Sequence, residues 1–510
     1  MTGISAPSDV LDLLEQLEQA GYPAYMVGGA VRSQLMGQQP HDFDVCTAAR
    51  PEEVRKICAG FRVLDTGLQH GTVTVLLESG PVEITTFRTE GVYSDGRRPD
   101  SVSFVSDIRS DLARRDFTIN AMAWSPRHGL CDPFGGQADL SCGMLRCVGN
   151  PTERLTEDAL RILRALRFAA TYGLQIEPQT RAAVLHCRGF LHQISAERIT
   201  AELIQIVCAP YAGRVLMEYA AVITEILPEL RPMIGFEQNN PHHRYTLWEH
   251  SVRALEAIPS RPELRLSMLF HDVGKSVCYT EDAAGVGHFY GHATHSVPLT
   301  ESALRRLRLD HALTEDILYL VRHHDTPLGQ THSTVRRKLA VHGERYFRAL
   351  LAIHKADCIG QGTNLSNLTL LLQSEALFEE ILADEGRLKR RDLAVNGKDL
   401  ISWGVHGREI GDMLAALLNY VLDDPSRNTP EQLYQKFLLL RREHDHLAFT
   451  VSGMSWKHCA QDVRRILEHL SSVQYADVDL PSGRVEVVGT QISLDEIRHA
   501  LADAGYKVAI

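Results

Sequence analysis

Residues 27–44 read Val-Gly-Gly-Ala-Val-Arg-Ser-Gln-Leu-Met-Gly-Gln-Gln-Pro-His-Asp-Phe-Asp, and this stretch decides the fold of the first part of the chain. The apolar run that ends at Val27 is typical of a strand, and the glycines after it open a helical stretch, where bare backbone can approach a phosphate. Asp42 and Asp44 alternate along a second strand, so both carboxylates lie on one face, about 7 Å apart along the chain. Two such carboxylates can share divalent cations in phosphoryl and nucleotidyl transfer.

A D-x-D pair alone is more often a solvated strand end, so the surrounding segments decide between the two interpretations. Glu83, on the strand-like run 82–87, is a candidate third carboxylate.

Residues 157–167 read Glu-Asp-Ala-Leu-Arg-Ile-Leu-Arg-Ala-Leu-Arg, which predicts one helical stripe that carries Asp158 and three arginines. A carboxylate beside a guanidinium can pair with the Watson–Crick edge of a base. The alternative is an ordinary salt-bridged helix face.

Composition excludes several classes of protein. The chain has 510 residues, 44% hydrophobic and 23% charged, which predicts about three to five packed units. Its apolar runs, such as 413–418, are far shorter than the roughly 20 residues of a membrane span, and residues 1–10 do not resemble a secretory signal. The ten cysteines include no C-x-x-C pair, which favours reduced thiols and a cytoplasmic location. The net charge of −11 argues against a surface that grips nucleic acid everywhere.

Periodicity divides the chain into three regions. Strand-like and helical stretches alternate up to about residue 145, which predicts an α/β head. From Thr156 to about Asp445 a 3.6-residue period dominates and predicts a long helical body, in which residues 228–241 have the composition of a linker. Strand-like runs return after residue 447 and predict a compact βαββαβ module.

The motifs G-G-x-V-R, D-x-D, R-R-D-F-T-I-N-A and E-D-x-x-R follow one another, beginning at Gly28, Asp42, Arg114 and Glu157. In this order and spacing they resemble the class II tRNA nucleotidyltransferase and bacterial poly(A) polymerase family. The resemblance implies a polymerase-β-like nucleotidyltransferase head followed by an all-α neck, body and tail. It also implies template-independent addition of CMP and AMP to the tRNA 3′ end, with CTP and ATP as substrates and Mg²⁺ as cofactor.

The resemblance assigns a role to each matching residue. Asp42 and Asp44 are the implied catalytic ligands of the Mg²⁺ ions, with Glu83 as a third carboxylate, and Gly29 and Arg32 would contact the triphosphate. The residues implied to bind and select the nucleotide are Arg115, Asp158, Arg161, Arg164 and Arg167.

Two local features qualify this resemblance. The family usually has aspartate after G-G-x-V-R, whereas this chain has Ser33, which we expect to alter loop positioning without removing a metal ligand. Residues 90–100 stand where the family has a flexible loop linked to the switch from C to A addition. The presence of that segment disfavours an enzyme that adds only CC.

A second group of motifs is rich in histidine. The pattern H…HD…H…H…D lies on helical segments between residues 247 and 357, and imidazoles with carboxylates can converge on one or two metal ions and activate water. The pattern resembles the HD phosphohydrolase superfamily, which implies a divalent transition metal. Some nucleotidyltransferases carry such a domain as an active hydrolase of 2′,3′-cyclic or monoester phosphates. The implied ligands are His250, His271, Asp272, His292, His324 and Asp357, with His323 as an alternative to His324.

The C-terminal module is similar to heavy-metal-associated domains of the copper-chaperone type, which have a ferredoxin-like fold. The resemblance rests on Gly453-Met454 and the residues that follow, up to Cys459. That family binds Cu(I) between two thiolates in G-M-x-C-x-x-C, but here Trp456 replaces the first cysteine. One thiolate cannot form the usual linear site, so we expect a degenerate module for dimer contacts, RNA-end contacts or packing, with metal sensing as the alternative.

The sequence as a whole therefore predicts a CTP- and ATP-dependent tRNA nucleotidyltransferase with an attached HD domain, whose retained ligand set allows a second, phosphohydrolase activity. A poly(A) polymerase or an A-only-adding enzyme is the alternative within the same chemistry, and an HD phosphohydrolase with a vestigial head is the alternative of another class. We expect no membrane partner and leave the oligomeric state open. The predicted domains are the head at 1–150, a nucleotide-selecting and RNA-binding neck at 151–235, the HD domain at 236–365, a tRNA-binding tail at 366–446 and the heavy-metal-associated-like module at 447–510.

Overall fold

A computed structural model describes residues 4–68, 71–91, 101–363, 366–383, 389–442, 445–454, 457–480, 482–489 and 492–509. The chain divides into two compact units, of which the first comprises 1–326 and 352–368 and the second 327–351 and 369–510. Residues 327–351 lie within the predicted HD segment, yet they group with the second unit.

The first unit begins with the predicted α/β head. Its seven-stranded mixed sheet has the order β3-β4-β5-β2-β1-β8-β9, and it packs on apolar side chains of the first helix. The elements of the head are α1 (Ser8–Gln19), β1 (Ala24–Val27), α2 (Gly29–Leu35), β2 (Phe43–Thr47), α3 (Pro51–Ile57), β3 (Arg62–Gly67), β4 (Thr72–Leu77), β5 (Gly80–Thr86), β6 (Arg88–Glu90), β7 (Val102–Phe104), α4 (Ile108–Ala113), β8 (Ala123–Ser125), β9 (Gly129–Cys131) and α5 (Gly136–Ser141).

A helical region completes the first unit. Its elements are β10 (Met144–Leu145), α6 (Pro151–Glu157), α7 (Leu160–Tyr172), β11 (Gln175–Ile176), α8 (Pro178–Cys187), α9 (Ala196–Val207), α10 (Ala212–Glu218), α11 (Ala220–Ile226), α12 (Leu247–Ala257), α13 (Pro262–Phe270), α14 (Lys275–Cys278), β12 (Thr280–Glu281), β13 (Gly287–His288), α15 (His292–Arg306), α16 (His311–His323) and part of α17 (His332–Gln361). The linker interpretation of 228–241 is wrong for its first half, because Pro228–Met233 is a 3₁₀ helix. Leu230 and Met233 are three residues apart, one 3₁₀ turn, and both are fully buried.

The second unit contains a helical tail and the predicted small module. Its further elements are α18 (Ser366–Ala383), α19 (Gly397–Ser402), α20 (Glu409–Asp423), α21 (Pro430–Arg442), β14 (Asp445–Ser452), α22 (Lys457–Glu468), β15 (Val473–Asp479), β16 (Arg484–Gly489), α23 (Leu494–Asp503) and β17 (Lys507–Ala509). The four strands of the module form one sheet in the order β15-β16-β14-β17, and a separate apolar core lies beneath it. The predicted βαββαβ order is therefore confirmed.

One bent pair of helices in the described residues has the length and hydropathy of a membrane span. Among the described residues, no single helix combines the length and hydropathy of a span, although α9 and α10 meet the criteria together as a pair bent by 118°. None of the cysteines in the described part of the chain forms a disulfide bond.

Candidate active site and metal centre

Three carboxylates lie on one face of the head sheet. Asp44 of β2 stands beside Glu83 in the parallel pairing of β2 with β5, so the two side chains leave the sheet on the same side. Asp42 precedes Asp44 by two positions, just before β2 begins, and its charge acts on the Asp44 carboxyl. The structure therefore brings the three predicted catalytic acids together.

Electrostatic repulsion within this cluster would be relieved by a bound cation. The pKa of the Asp44 carboxyl is raised to about 6, because burial desolvates it and the charges of Asp42 and Glu83 oppose its ionisation, while Arg115 acts in the opposite direction. Gathered carboxylates are stable as anions only when a positive charge balances them. The donors are all oxygen atoms, which is the ligand set that Mg²⁺ prefers.

We predict a pH dependence from this raised pKa. A proton competes with the cation for the Asp44 carboxylate, and below pH about 6 the ionised fraction falls about tenfold per pH unit. The rate of the nucleotide transfer that the sequence resemblance implies should therefore fall steeply, at limiting Mg²⁺, as the pH drops from about 7.5 to about 5. Saturating Mg²⁺ should move the fall to lower pH, and a flat profile at limiting Mg²⁺ would exclude Asp44 as a ligand.

The glycine turn lies beside one of the predicted nucleotide-binding arginines. Gly28 has a φ of +65°, and a Cβ atom there would meet the Nη1 atom of Arg115 at 3.1 Å. Gly29 follows as the first residue of α2. Arg115 also opposes the rise in the pKa of Asp44, so its positive charge acts on the carboxylate cluster as well as lying beside the glycine turn.

Several contacts within the protein fix the side chain of Arg32. Its side chain is buried, and its guanidinium donates hydrogen bonds to the Oδ1 of Asn120 and, at 2.8 Å, to the hydroxyl of Tyr172. The guanidinium also lies over the ring of Tyr172 at 4.8 Å. These neutral partners form no ion pair with Arg32, which suits an anionic ligand, and they tie α2 to α7. Asp116 offsets part of the positive charge electrostatically.

The predicted single stripe from Asp158 to the three arginines is wrong in one respect. Asp158 ends α6 with an extended backbone (φ −139°, ψ 102°), so it stands outside helix α7. Its Oδ2 atom accepts a hydrogen bond from the Nη2 of Arg198 at 2.9 Å rather than from Arg161. Arg198 lies on α9, 40 residues along the chain, and no spacing rule could pair it with Asp158.

The three predicted arginines of α7 each have a protein partner. Arg161 donates to Glu157 at 2.6 Å and to main-chain carbonyls, and Arg167 donates to Glu202 at 2.7 Å. Arg164 forms two hydrogen bonds to the Oδ2 of Asp116. Burial opposes ionisation of Asp116, but Arg164, Asn120 and Arg161 together outweigh it and lower the pKa of Asp116 to about 2. Sequence reasoning assigned no role to Asp116, which also accepts a hydrogen bond from Asn120.

The histidine motifs converge on a second site in the first unit. His250, His271, Asp272 and Asp357 place one ligand atom each within 4.8 Å of one another, and a second such set consists of Asp272, His292 and His324. The Oδ2 of Asp272 lies 3.2 Å from the Nε2 of both His250 and His271. Its Oδ1 lies 3.2 Å from the Nε2 of His292. Asp272 therefore presents one oxygen to each set. All six implied ligands belong to these sets, and His324 rather than His323 completes the second.

Main-chain carbonyls orient several of these imidazoles. The Nδ1 atoms of His271, His292 and His324 lie 2.7–3.0 Å from the carbonyls of Met268, Phe289 and Val321. When Nε2 carries no proton, a proton on Nδ1 leaves the Nε2 lone pair facing the centre, which is the tautomer that a metal ligand needs.

The acids of this centre are anionic. Burial acts to raise the pKa of Asp272 and Asp357, yet the surrounding imidazoles hold both values well below the usual carboxyl range. Lys275, to which sequence reasoning gave no role, places its Nζ 2.6 Å from the Oδ2 of Asp272. Nitrogen and oxygen donors in these two sets fit a divalent transition metal.

Two predicted features lie partly or wholly outside the described residues. Residues 92–100 of the predicted flexible loop at 90–100 lie outside the described residues. Trp456, which replaces a cysteine of the copper motif, also lies outside them. Cys459 is described, and it contacts Tyr506 of the same module, where it raises the pKa of the phenol together with burial.

Comparison with known proteins agrees with the geometry of both units. Family models match the chain as a poly A polymerase head domain over residues 24–146, as a probable RNA and SrmB-binding site of polymerase A over 173–234 and as a heavy-metal-associated domain over 448–507. A CCA-adding enzyme of Leuconostoc citreum is 36% identical over 70% of this chain and 85% of its own length. One of Lactobacillus helveticus is 32% identical over 84% and 96%.

A solved structure shows the same likeness in three dimensions. The crystal structure of the Bacillus stearothermophilus CCA-adding enzyme in complex with CTP superposes with a TM-score of 0.62 at 28% identity. The match covers 86% of this chain and 98% of that one, so only a minor part of this chain lies beyond it.

Proposed function

Because this chain belongs to the family of CCA-adding enzymes, we propose that it adds CMP and AMP to the 3′ end of tRNA by Mg²⁺-dependent transfer from CTP and ATP. The observation that carries the proposal is the trio of carboxylates on one face of the head sheet, where the pKa of Asp44 is raised to about 6. The fold class of an α/β head, helical region and ferredoxin-like module supports it.

In the proposed reaction, the 3′ hydroxyl of the RNA attacks the α-phosphorus of the nucleoside triphosphate, and the bond to pyrophosphate breaks. Asp42, Asp44 and Glu83 would hold Mg²⁺, which when bound polarises the attacking oxygen and balances the charge of the departing pyrophosphate. Arg115, beside the glycine turn, would bind the triphosphate oxygens. Arg32 would add its positive charge behind that turn.

Nucleotide selection falls to Asp158 and the residues near it. The carboxylate of Asp158 accepts hydrogen bonds from the amide of Leu160 and the guanidinium of Arg198, which fix its direction. A carboxylate so oriented can accept from the exocyclic amine that cytosine and adenine share and that uracil lacks. Arg161 would donate to the same base edge, which requires it to exchange its present hydrogen bond to Glu157.

We predict that Asp158→Ala impairs the choice of base more than the binding of tRNA. Loss of a paired hydrogen-bonding group should reduce the discrimination of CTP over UTP by about 10- to 100-fold. Competition assays with the four triphosphates measure this ratio, and Glu218→Ala, an exposed carboxylate of the same region, is the matched control. An unchanged preference would remove the selecting role.

The product decides between the transferase alternatives. A tRNA transcript that lacks its terminal CCA is incubated with CTP and ATP, singly and together, and the 3′ ends are sequenced. We expect CC with CTP alone and CCA with both. A single A on a CC-ended transcript only, or long A tails, would favour the A-only enzyme or the poly(A) polymerase instead.

The helical segments after the head have proposed roles in RNA binding. The exposed Lys389 and Lys398 of the tail at 366–446 would contact tRNA phosphates, as would nearby arginines. Such contacts release counterions, so tRNA binding should weaken as salt rises.

We also propose a second activity, a metal-dependent hydrolysis of phosphoesters, at the histidine centre. The observation that favours it is Asp272, whose two carboxylate oxygens face the two ligand sets separately. Two cations held by a shared carboxylate can activate a water and stabilise charge on a phosphoryl group.

A further inference from the structure

A buried carboxylate to which sequence reasoning gave no role lies behind one of the predicted nucleotide-binding arginines. Asp111 belongs to α4, and its side chain is fully buried. Its Oδ2 lies 3.4 Å from the Nη2 of Arg115, and its Oδ1 accepts a hydrogen bond from the Nε of Arg114 at 3.0 Å. One carboxylate therefore faces two guanidinium groups, and the three side chains together keep a net positive charge.

Two other arginines fix the main chain of this turn independently of Asp111. Arg154 donates a hydrogen bond to the carbonyl of Arg114 at 3.2 Å, and Arg161 donates to the same carbonyl at 3.3 Å. Loss of the Asp111 carboxylate would therefore release the side chain of Arg115 rather than move the turn that carries it.

Asp111 also connects this turn to the sheet that carries the catalytic acids. Its Oδ1 accepts a hydrogen bond from the amide of Arg88 at 3.3 Å, and Arg88 follows closely on β5, the strand of Glu83. From Asp111 the guanidinium of Arg115 reaches the glycine turn, where its Nη1 would lie 3.1 Å from a Cβ atom at Gly28. A guanidinium has several N–H groups, so the contact with Asp111 leaves other donors for an anionic ligand.

We propose that Asp111 is a positioning residue that aims the guanidinium of Arg115 at the triphosphate of the bound nucleotide. The inference rests on the proposed nucleotidyl transfer and adds a residue to it. A purely structural role explains less, because a buried ion pair contributes little net stability compared with apolar side chains of similar volume. A long side chain loses rotamer freedom when it binds a ligand, and a partner that fixes it beforehand reduces that loss. The effect of Asp111 should therefore fall on the phosphates and not on the base.

A comparison of CTP with CMP tests the proposal, because the two ligands share the base and ribose and differ in the phosphates that Arg115 would bind. Calorimetry with the full-length protein and Mg²⁺ gives the dissociation constant of each. Asp111→Asn keeps the size of the side chain and an acceptor oxygen for the amide of Arg88, but it loses the charge. The dissociation constant should rise about tenfold for CTP and stay within about twofold for CMP. Asp107→Asn makes the same change at an exposed carboxylate that caps the same helix, and this matched control should equal the wild type.

A double-mutant cycle shows whether Asp111 acts through Arg115. In the Arg115→Ala background, Asp111→Asn should change the dissociation constant of CTP by less than about twofold. An undiminished effect in that background would overturn the proposal, as would equal losses of CTP and CMP binding or an unchanged affinity for CTP in the single variant.

A second variant covers the case that Asp111→Asn does not fold. Asp111→Glu keeps the buried charge and moves the carboxylate by about 1.5 Å, so it should also weaken the binding of CTP and spare that of CMP. Wild-type constants for both ligands in Asp111→Glu would refute the positioning role. Failure of the wild type to bind CTP would instead overturn the proposed nucleotidyl transfer, and the inference with it.

Discussion

Asp44→Asn is expected to reduce nucleotide addition by about 10³-fold, because the substitution removes an anionic ligand and keeps the shape of the side chain. A metal ion in such a site contributes several kcal/mol to transition-state stabilisation, and each 1.36 kcal/mol corresponds to a factor of about ten in rate. Single-turnover addition of CMP to a tRNA transcript measures the effect. Hydrolysis at the histidine centre should persist, because its ligands come from helices outside the head.

Two controls accompany this variant. Glu78→Gln makes the same change of charge at an exposed position in the turn between β4 and β5 of the same sheet, and it should retain full activity. The stability of Asp44→Asn should equal or exceed that of the wild type, because the variant relieves repulsion among three carboxylates. Residual activity within about tenfold of wild type would contradict the catalytic assignment.

Asp272→Asn is the second variant with a large expected effect, since Asp272 alone belongs to both ligand sets. Loss of one carboxylate weakens both sites, so bound Mn²⁺ or Zn²⁺ should fall well below the wild-type content and phosphoester hydrolysis should disappear. Elemental analysis after metal loading and gel filtration measures the content. Addition of CCA should remain within about twofold of wild type.

The experiment needs a check that Asp272→Asn folds, because Asp272 is buried among imidazoles and Lys275. Retained CCA addition is itself evidence that the first unit has folded. The Asp357 side chain is more exposed than that of Asp272 and belongs only to the first ligand set. Asp357→Asn should therefore remove only that set and leave partial metal binding. The matched control is His295→Ala, an exposed histidine of the same helix as His292. Metal content equal to wild type in Asp272→Asn would refute the shared-ligand arrangement.

Local sequence patterns were sufficient for much of the fold. The strand before Gly28 and the strand that carries Asp44 lie where alternation predicts them, and the C-terminal βαββαβ order is as expected. Patterns of this kind succeed because a strand or helix that buries one face must repeat its apolar residues at a fixed period. The prediction failed at residues 228–233, where a proline-rich composition concealed a buried 3₁₀ turn.

The motifs predicted which residues belong to the candidate sites, but they predicted only partly how those residues are arranged. Motifs identified all six residues of the histidine centre, because ligand chemistry restricts the residue types to histidine and carboxylate. They did not divide the six into two sets, and they did not identify Lys275 as a neighbour of Asp272. They also placed Asp158 with Arg161, whereas the helix breaks at Asp158 and its carboxylate faces Arg198.

The sequence by itself determined the α/β head, the helical body, the C-terminal module and the residue types that carry the chemistry, because periodicity and short motifs are local properties of the chain. Only the tertiary structure decided that Asp44 stands opposite Glu83, that Arg198 holds Asp158 and that Asp272 is shared between two ligand sets. These contacts join residues tens of positions apart. They depend on strand register and on the packing of helices against one another, which no local pattern encodes.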